Sequence, residues 1–387
     1  MDKKNKKLTK REFVKYGICG IGAIATGLYS LKSFSNNLKG LSLNFPSDDI
    51  WKWSKEASYY VQTPRGIKCL LCPSECDIKP DDVGICRTRI NYGNKLYTIA
   101  YGNPCAVHID PIEKKPLYHF YPKSRALSIA TAGCNLACLN CQNWTISQFS
   151  PKDTKNYDLM PDKTVEMCIS EGCKSIAYTY SEPIAFYEYT YDTAKLAREK
   201  GIKNIIVSAG YINEKPLRNW CKYIDAANID LKSFDNDIYM ELIGGTLQPI
   251  LNTLKILKEE GVWLEITNLI VPGWTDDLDM IKKMCDWLCD NGLSEYPLHF
   301  SRFHPMYKLT HLHATPVSTL NKAKEIAVKS GIKFVYIGNV PGSDAQNTIC
   351  PKCGKIVIKR KGYFILENNI LNNSCKFCGE KIPGVWK

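Results

Sequence analysis

"TAGCNLACLNCQNW", residues 131–144, sets Cys134, Cys138 and Cys141 into one short loop at C-x3-C-x2-C spacing. A structural zinc site takes four ligands and is closed once it has them. A [4Fe–4S] cluster presents four irons, each of which seeks its own thiolate. Three cysteines can hold three of those irons and leave the fourth open, and an open iron is a place to do chemistry. The triplet follows "ALSIATA" (126–132), an apolar β-branched run that reads as a strand. No G-x-G-x-x-G follows it, which argues against a dinucleotide-binding fold.

Working outward, the same kind of run recurs at 175–180, 203–208, 226–231, 263–270, 297–303 and 333–338. Helical patterns lie between the runs, among them "IAFYEYTYDTAKLAREKG", "IYMELIGGTLQPILNTLKILKEEG" and "PVSTLNKAKEIAVKSG". Strand–helix alternation predicts parallel strands with helical crossovers. Six βα units and a seventh strand predict an α/β fold, a partial (β/α)6 TIM-like barrel over 126–342. Chemistry in such barrels sits at the C-terminal ends of the strands. The residues expected there are the cysteine triplet, Glu182, Ser208, Asp230 and Lys232, Asn268, His299, Arg302 and His304, and Asn339.

Two further cysteine sets flank the barrel. Cys350, Cys353, Cys375 and Cys378 form paired C-x2-C-G knuckles, a pattern for tetrahedral zinc or rubredoxin-type iron. They predict a zinc-ribbon or rubredoxin-like module over 343–387 that binds its metal independently of the barrel. Cys69, Cys72, Cys76 and Cys86 follow C-x2-C-x3-C-x9-C in an N-terminal Cys-rich segment, 67–125. Four thiolates there suit either a closed zinc site or a second cluster. Cys105, Cys168, Cys173, Cys285 and Cys289 read as small buried hydrophobes.

Of the 387 residues, those in 1–15 include seven Lys or Arg against two acids, and those in 350–387 eight against two. The net charge of +12 therefore sits at the two ends and leaves the barrel nearly neutral, so no nucleic-acid partner is expected. Residues 1–35 join a basic stretch to a Gly/Ala-rich apolar one and resemble a twin-arginine export signal or membrane anchor, with Lys10 where the first arginine would stand. A cytoplasmic location is the alternative. Residues 36–66 have no clear period and read as a linker.

The triplet, at the head of a βα series, resembles the cluster loop of radical S-adenosylmethionine (SAM) enzymes. In order along 67–387, "CLLCPSECDIKPDDVGICRTRIN", "DPIEKKPLYHFYP", "AYTYSEPIAFYEY", "LEITNLIVPG", "LHFSRFHP" and "IGNVPGSDAQNTICPKCG" resemble the radical SAM member of the AmmeMemoRadiSam system. That group is related to pyruvate formate-lyase activating enzymes. The resemblance implies a [4Fe–4S] cluster and SAM as cofactors, and cleavage of SAM to a 5′-deoxyadenosyl radical that abstracts hydrogen from a protein or small molecule. It implies a ferredoxin- or flavodoxin-like electron donor, with Memo-like and AMMECR-like proteins as partners. Glu182 matches the position near the SAM amino group, Asp230 and Lys232 the "DLK" motif near its carboxylate, and His299 the sixth-strand histidine near the ribose. Asn140 fills the slot before the third cysteine that usually carries an aromatic beside the adenine. "VSAG" at 207–210, with Ser208, replaces the activating enzymes' "DTNG". The alternative is an iron–sulfur electron carrier with zinc modules and no SAM chemistry. A carrier needs a fully ligated cluster, and no fourth cysteine lies close to this triplet.

Overall fold

The computed structural model describes residues 43–44 and 50–387, so the export signal or anchor expected in 1–35 lies outside the described residues. The described residues form one compact unit. Its centre is an eight-stranded sheet. Strand β1 (Ala106–Pro111) runs antiparallel to β2 (Arg125–Ala130) at one edge. From β2 the parallel strands follow in chain order: β3 (Ser175–Tyr178), β4 (Lys203–Ser208), β5 (Ala226–Asp230), β6 (Trp263–Ile270), β7 (Leu298–Arg302) and β8 (Val335–Gly338). Helices α1 (Pro161–Ser170), α2 (Tyr187–Glu199), α3 (Glu214–Cys221), α4 (Leu247–Glu259), α5 (Leu278–Asp290) and α6 (Val317–Ser330) fall between successive strands. The strands read as unbroken apolar runs because helices cover such a sheet and both of its faces are buried. All four residues of β3 are buried, as are five of the six in β2.

Three expectations need correction. From residue 50 the expected linker is folded: Ile50 and Trp53 bury against Ile90 and Ile99, and 60–63 pairs with 66–69 in a hairpin. Burying side chains of this size contributes about 1.5–3 kcal/mol each. The segment carries too few apolar residues for a period to be visible, but they meet apolar residues about 40 positions away.

The long helical pattern starting at Ile238 is two elements. A π-helical turn, Tyr239–Ile243, ends at Gly244 in the left-handed region (φ 79°), and α4 begins only at Leu247. The third correction concerns the C-terminal module, where β9 (Ile356–Lys361) and β10 (Phe364–Asn368) pair antiparallel. It shares its core with the barrel: Cys350, Val357, Cys375 and Ile382 pack with Tyr118, Phe334 and Tyr336. Arg360 donates to the Tyr118 carbonyl (2.8 Å) and to Thr348 (2.7 Å). Forty-odd residues cannot enclose a core alone, so this one borrows the barrel's aromatic rings.

Candidate active site

The cysteine loop leaves β2 through Gly133, whose φ of 107° favours glycine; a Cβ there would lie 2.4 Å from Thr88 Cγ2 and 2.7 Å from the Cys86 carbonyl oxygen. The loop then hydrogen-bonds to the π-helical turn. Ala137 N donates to the Ile243 carbonyl (2.9 Å), and Leu139 N to that of Leu242 (2.9 Å). Gly245 leaves room for the loop, since a Cβ there would come within 2.8 Å of Leu136. The break in the helical pattern is therefore the seat of the cysteine loop, and the glycine pair in "LIGGT" is the sequence signal for it. Asn135 Nδ2 ties the loop to the Tyr211 carbonyl (2.8 Å).

The C-terminal strand ends bring Glu182, Ser208, Asp230 and Lys232 to this loop. Glu182 is buried. Its Oε1 accepts from Ser208 Oγ (2.6 Å) and its Oε2 from Ala209 N (2.9 Å). Ser208 thus holds the carboxylate in place. Burial raises the Glu182 pKa, against the hydrogen bonds from Ser208 and Ala209 and the charge of Lys232. Lys232 Nζ lies 2.7 Å from Asp230 Oδ2. Burial alone would lower the Lys232 pKa, but Asp230 and the Cys138 sulfur outweigh it and the ammonium is favoured. Cys138 is pushed up to about 11 by burial, with Lys232 opposing. Burial and then the Glu182 charge raise Cys134; burial raises Cys141, opposed by a hydrogen bond from Ser147. Thiols in so unfavourable a setting need a cation before they ionise.

Asn140 Oδ1 is buried with no hydrogen-bond partner among the described residues. Asn268 Nδ2 donates to the Leu231 carbonyl (2.8 Å), between Asp230 and Lys232, and its Oδ1 is likewise unpartnered. A buried acceptor left open by the protein is a place where a bound ligand can complete the hydrogen bond. Three sulfurs on one loop, a lysine–aspartate pair beside them and free acceptors together fit a three-cysteine cluster with an organic ligand on its open iron.

Other expected residues lie elsewhere. His299 is the second residue of β7, near its N-terminal end. It is buried, with Nε2 donating to Glu265 Oε2 (2.7 Å) and its ring between Tyr118 and Tyr336. The strand run identified the element correctly, but not how far along it the histidine stands. Arg302 Nε donates to the Thr315 carbonyl, while His304 and Asn339 are exposed. Sequence reasoning did not single out Asn135, Ser147, Tyr239 or the glycine pair; Tyr239 Oη accepts from Lys232 N (3.0 Å).

At the C-terminal module the four thiols all lie within 4.8 Å of one another, with Cys350–Cys378 at 3.6 Å and Cys353–Cys375 at 3.8 Å. Gly354 N and Gly379 N turn back onto the Cys350 and Cys375 carbonyls. Four convergent sulfurs are a donor set for one metal ion. Cys69, Cys72, Cys76 and Cys86 instead line the wall of a cavity.

A family model described as the Radical SAM superfamily matches residues 128–288. An uncharacterised protein of Methanocaldococcus jannaschii is 45% identical over 334 residues, covering 85% of this chain and 98% of that protein. A match of that length takes in residues 67–125 wherever it begins. The pyruvate formate-lyase 1-activating enzyme of Escherichia coli is 24% identical over 218 residues, 53% of this chain and 89% of the enzyme. The pyruvate formate-lyase-activating enzyme of Staphylococcus aureus is 27% identical over 232 residues, 54% of this chain and 89% of the enzyme. Among solved structures, a radical SAM methyltransferase from Sphaerobacter thermophilus superposes with a TM-score of 0.45 at 13% identity, covering 56% of this chain and 67% of that one.

Proposed function

Because the chain belongs to the Radical SAM superfamily, we propose that it is an enzyme that reductively cleaves SAM and uses the resulting radical to abstract hydrogen from a protein or small-molecule substrate. The family implies a [4Fe–4S] cluster and SAM, which when bound supply an electron and a 5′-deoxyadenosyl radical. The observation that carries this reading is the meeting of the three-cysteine loop with the Lys232–Asp230 pair at the C-terminal strand ends. Cys134, Cys138 and Cys141 hold three irons. The Lys232 ammonium, set by Asp230, presents a cation to the SAM carboxylate. Glu182, pinned by Ser208 and Ala209 N, presents a carboxylate to the SAM amino group, and Asn140 Oδ1 offers an acceptor beside the adenine. Fixing both ends of the ligand in this way can lower a barrier by about 7–11 kcal/mol.

Anaerobic incubation with SAM and a strong low-potential reductant tests the reading. The expected products are 5′-deoxyadenosine and methionine, with a [4Fe–4S]+ paramagnetic signal that shifts when SAM is added. A signal indifferent to SAM with no 5′-deoxyadenosine formed overturns it and leaves the electron-carrier alternative.

The finer assignment, to the AmmeMemoRadiSam system, is supported by the ordered segments along 67–387. Memo-like and AMMECR-like proteins are then the partners, and a ferredoxin- or flavodoxin-like protein the electron donor. The substrate is sought by adding these partners and following deuterium into 5′-deoxyadenosine. Residues 1–35 serve as export signal or anchor in this reading. Deleting them should move the protein from the membrane fraction to the soluble one while SAM cleavage persists.

A further inference from the structure

Cys69, Cys72, Cys76 and Cys86 line one cavity, and aliphatic side chains complete much of its wall. Backbone hydrogen bonds fold the stretches that carry the four cysteines. Cys69 N donates to the Cys76 carbonyl (3.0 Å) and Glu75 N to that of Cys72 (3.0 Å), while Arg87 N closes a turn onto Gly84 around Cys86 (2.8 Å).

The spacing separates two kinds of metal centre. A single zinc or iron about 2.3 Å from each sulfur draws four sulfurs to within about 3.8 Å of one another, and the C-terminal thiols, all within 4.8 Å, approach that spacing. Among the described residues, no three of the N-terminal thiols share the 4.8 Å grouping that the C-terminal four satisfy. They line a shared cavity without converging on one point. A polynuclear cluster needs that arrangement, because each thiolate binds its own iron and inorganic sulfide fills the middle.

The wall is equipped for anionic sulfur. Arg89 is buried, with Nη1 3.7 Å from Cys69 Sγ and Nη2 bonded to Glu188 (2.5 Å). Its Nε is a buried donor without a partner among the described residues. Donors facing cluster sulfur stabilise its negative charge and tune its potential.

The cavity also adjoins the catalytic loop. Asn135, the residue after Cys134, forms part of its wall, and Arg87 Nη1 reaches the Cys134 carbonyl (3.4 Å). We propose that Cys69, Cys72, Cys76 and Cys86 ligate a second iron–sulfur cluster of the [4Fe–4S] type, fully held by the protein and next to the three-cysteine loop. This does not depend on SAM cleavage.

The test is iron, zinc and acid-labile sulfide analysis with low-temperature electron paramagnetic resonance on the full chain, reconstituted anaerobically with iron and sulfide. Wild type should carry about eight sulfides per chain, and the fully reduced protein should show two interacting paramagnets. The triple variant C134A/C138A/C141A leaves the N-terminal set intact and should keep about four sulfides and a reduced-cluster signal that ignores SAM. The double variant C72A/C86A should also fall to about four sulfides while keeping the SAM-responsive signal. Should the double variant fail to fold, the triple variant decides alone. A triple variant with no sulfide, or with zinc in place of a cluster at the N-terminal set, overturns the proposal. A retained cluster with no SAM cleavage in wild type would sink the proposed function and leave this site standing.

Discussion

At the N-terminal ends of the strands, Glu265 accepts from Tyr118 N (2.9 Å), His119 N (2.7 Å), Trp263 Nε1 (3.2 Å) and His299 Nε2 (2.7 Å). Burial would raise its pKa, but the His299 hydrogen bond, both histidines and the Tyr118 amide together lower it. At the C-terminal ends, the carboxylate of Glu182 stays raised, Cys134, Cys138 and Cys141 are held protonated by burial, and Asn140 Oδ1 has no partner. Both ends bury charge. The protein satisfies Glu265 but not the thiols or Asn140 Oδ1, so burial of an ionisable group on this sheet points to function where the group's partners are missing.

Substitutions at the two ends should separate these roles. The largest effect belongs to the triplet: replacing Cys134, Cys138 or Cys141 by Ala should bring 5′-deoxyadenosine to background while the far-UV circular dichroism of the barrel stays unchanged. Near-normal product from any of the three would remove the contrast at its root.

Glu265→Ala attacks the complete end. Removing one member of a buried charged network costs about 3–5 kcal/mol, read as a lower denaturant midpoint, with SAM affinity per folded molecule unchanged. A selective loss of SAM binding without loss of stability would place Glu265 and His299 in the active site after all.

Next comes His119. Its ring lies with Nδ1 2.7 Å from the Pro383 carbonyl and Nε2 2.6 Å from Tyr336 Oη, and burial lowers its pKa from 6.5 to about 4. The unfolded chain therefore takes up the proton first as pH falls. The stabilisation is complete above about pH 6.5 and is lost progressively toward pH 4, up to about 3 kcal/mol. His119→Gln keeps an amide donor near Pro383 without the titration, so its unfolding free energy should vary less with pH across that window. Identical profiles for the two proteins would remove His119 from the account.

Lys232→Ala should have the smallest effect. A hydrogen bond to a charged group contributes about 1.5–3 kcal/mol, so SAM affinity should fall by a factor of about 10–150. Cluster content, followed by iron and sulfide, should not change. Unaltered affinity would leave the Lys232–Asp230 pair a structural feature, as the Glu265–His299 pair is.

The sequence alone determined whatever depends on local spacing. C-x3-C-x2-C marks a loop because ligands to one cluster come from adjacent turns of chain, and C-x2-C-G marks a knuckle because glycine admits the turn behind the sulfur. The seven parallel strands were legible as apolar runs because both of their faces are buried. Tertiary structure decided what depends on distant partners. Ile50 and Trp53 look like linker until Ile90 and Ile99 cover them, and the helical pattern at Gly244 breaks because the cysteine loop needs the Leu242 and Ile243 carbonyls. His299 carries the same letter at either end of a strand, and only its side-chain contacts with Glu265, Tyr118 and Tyr336 set it apart from the cysteine loop. Whether four cysteines converge on a point or surround a space is a distance between side chains, and spacing along a chain does not encode it.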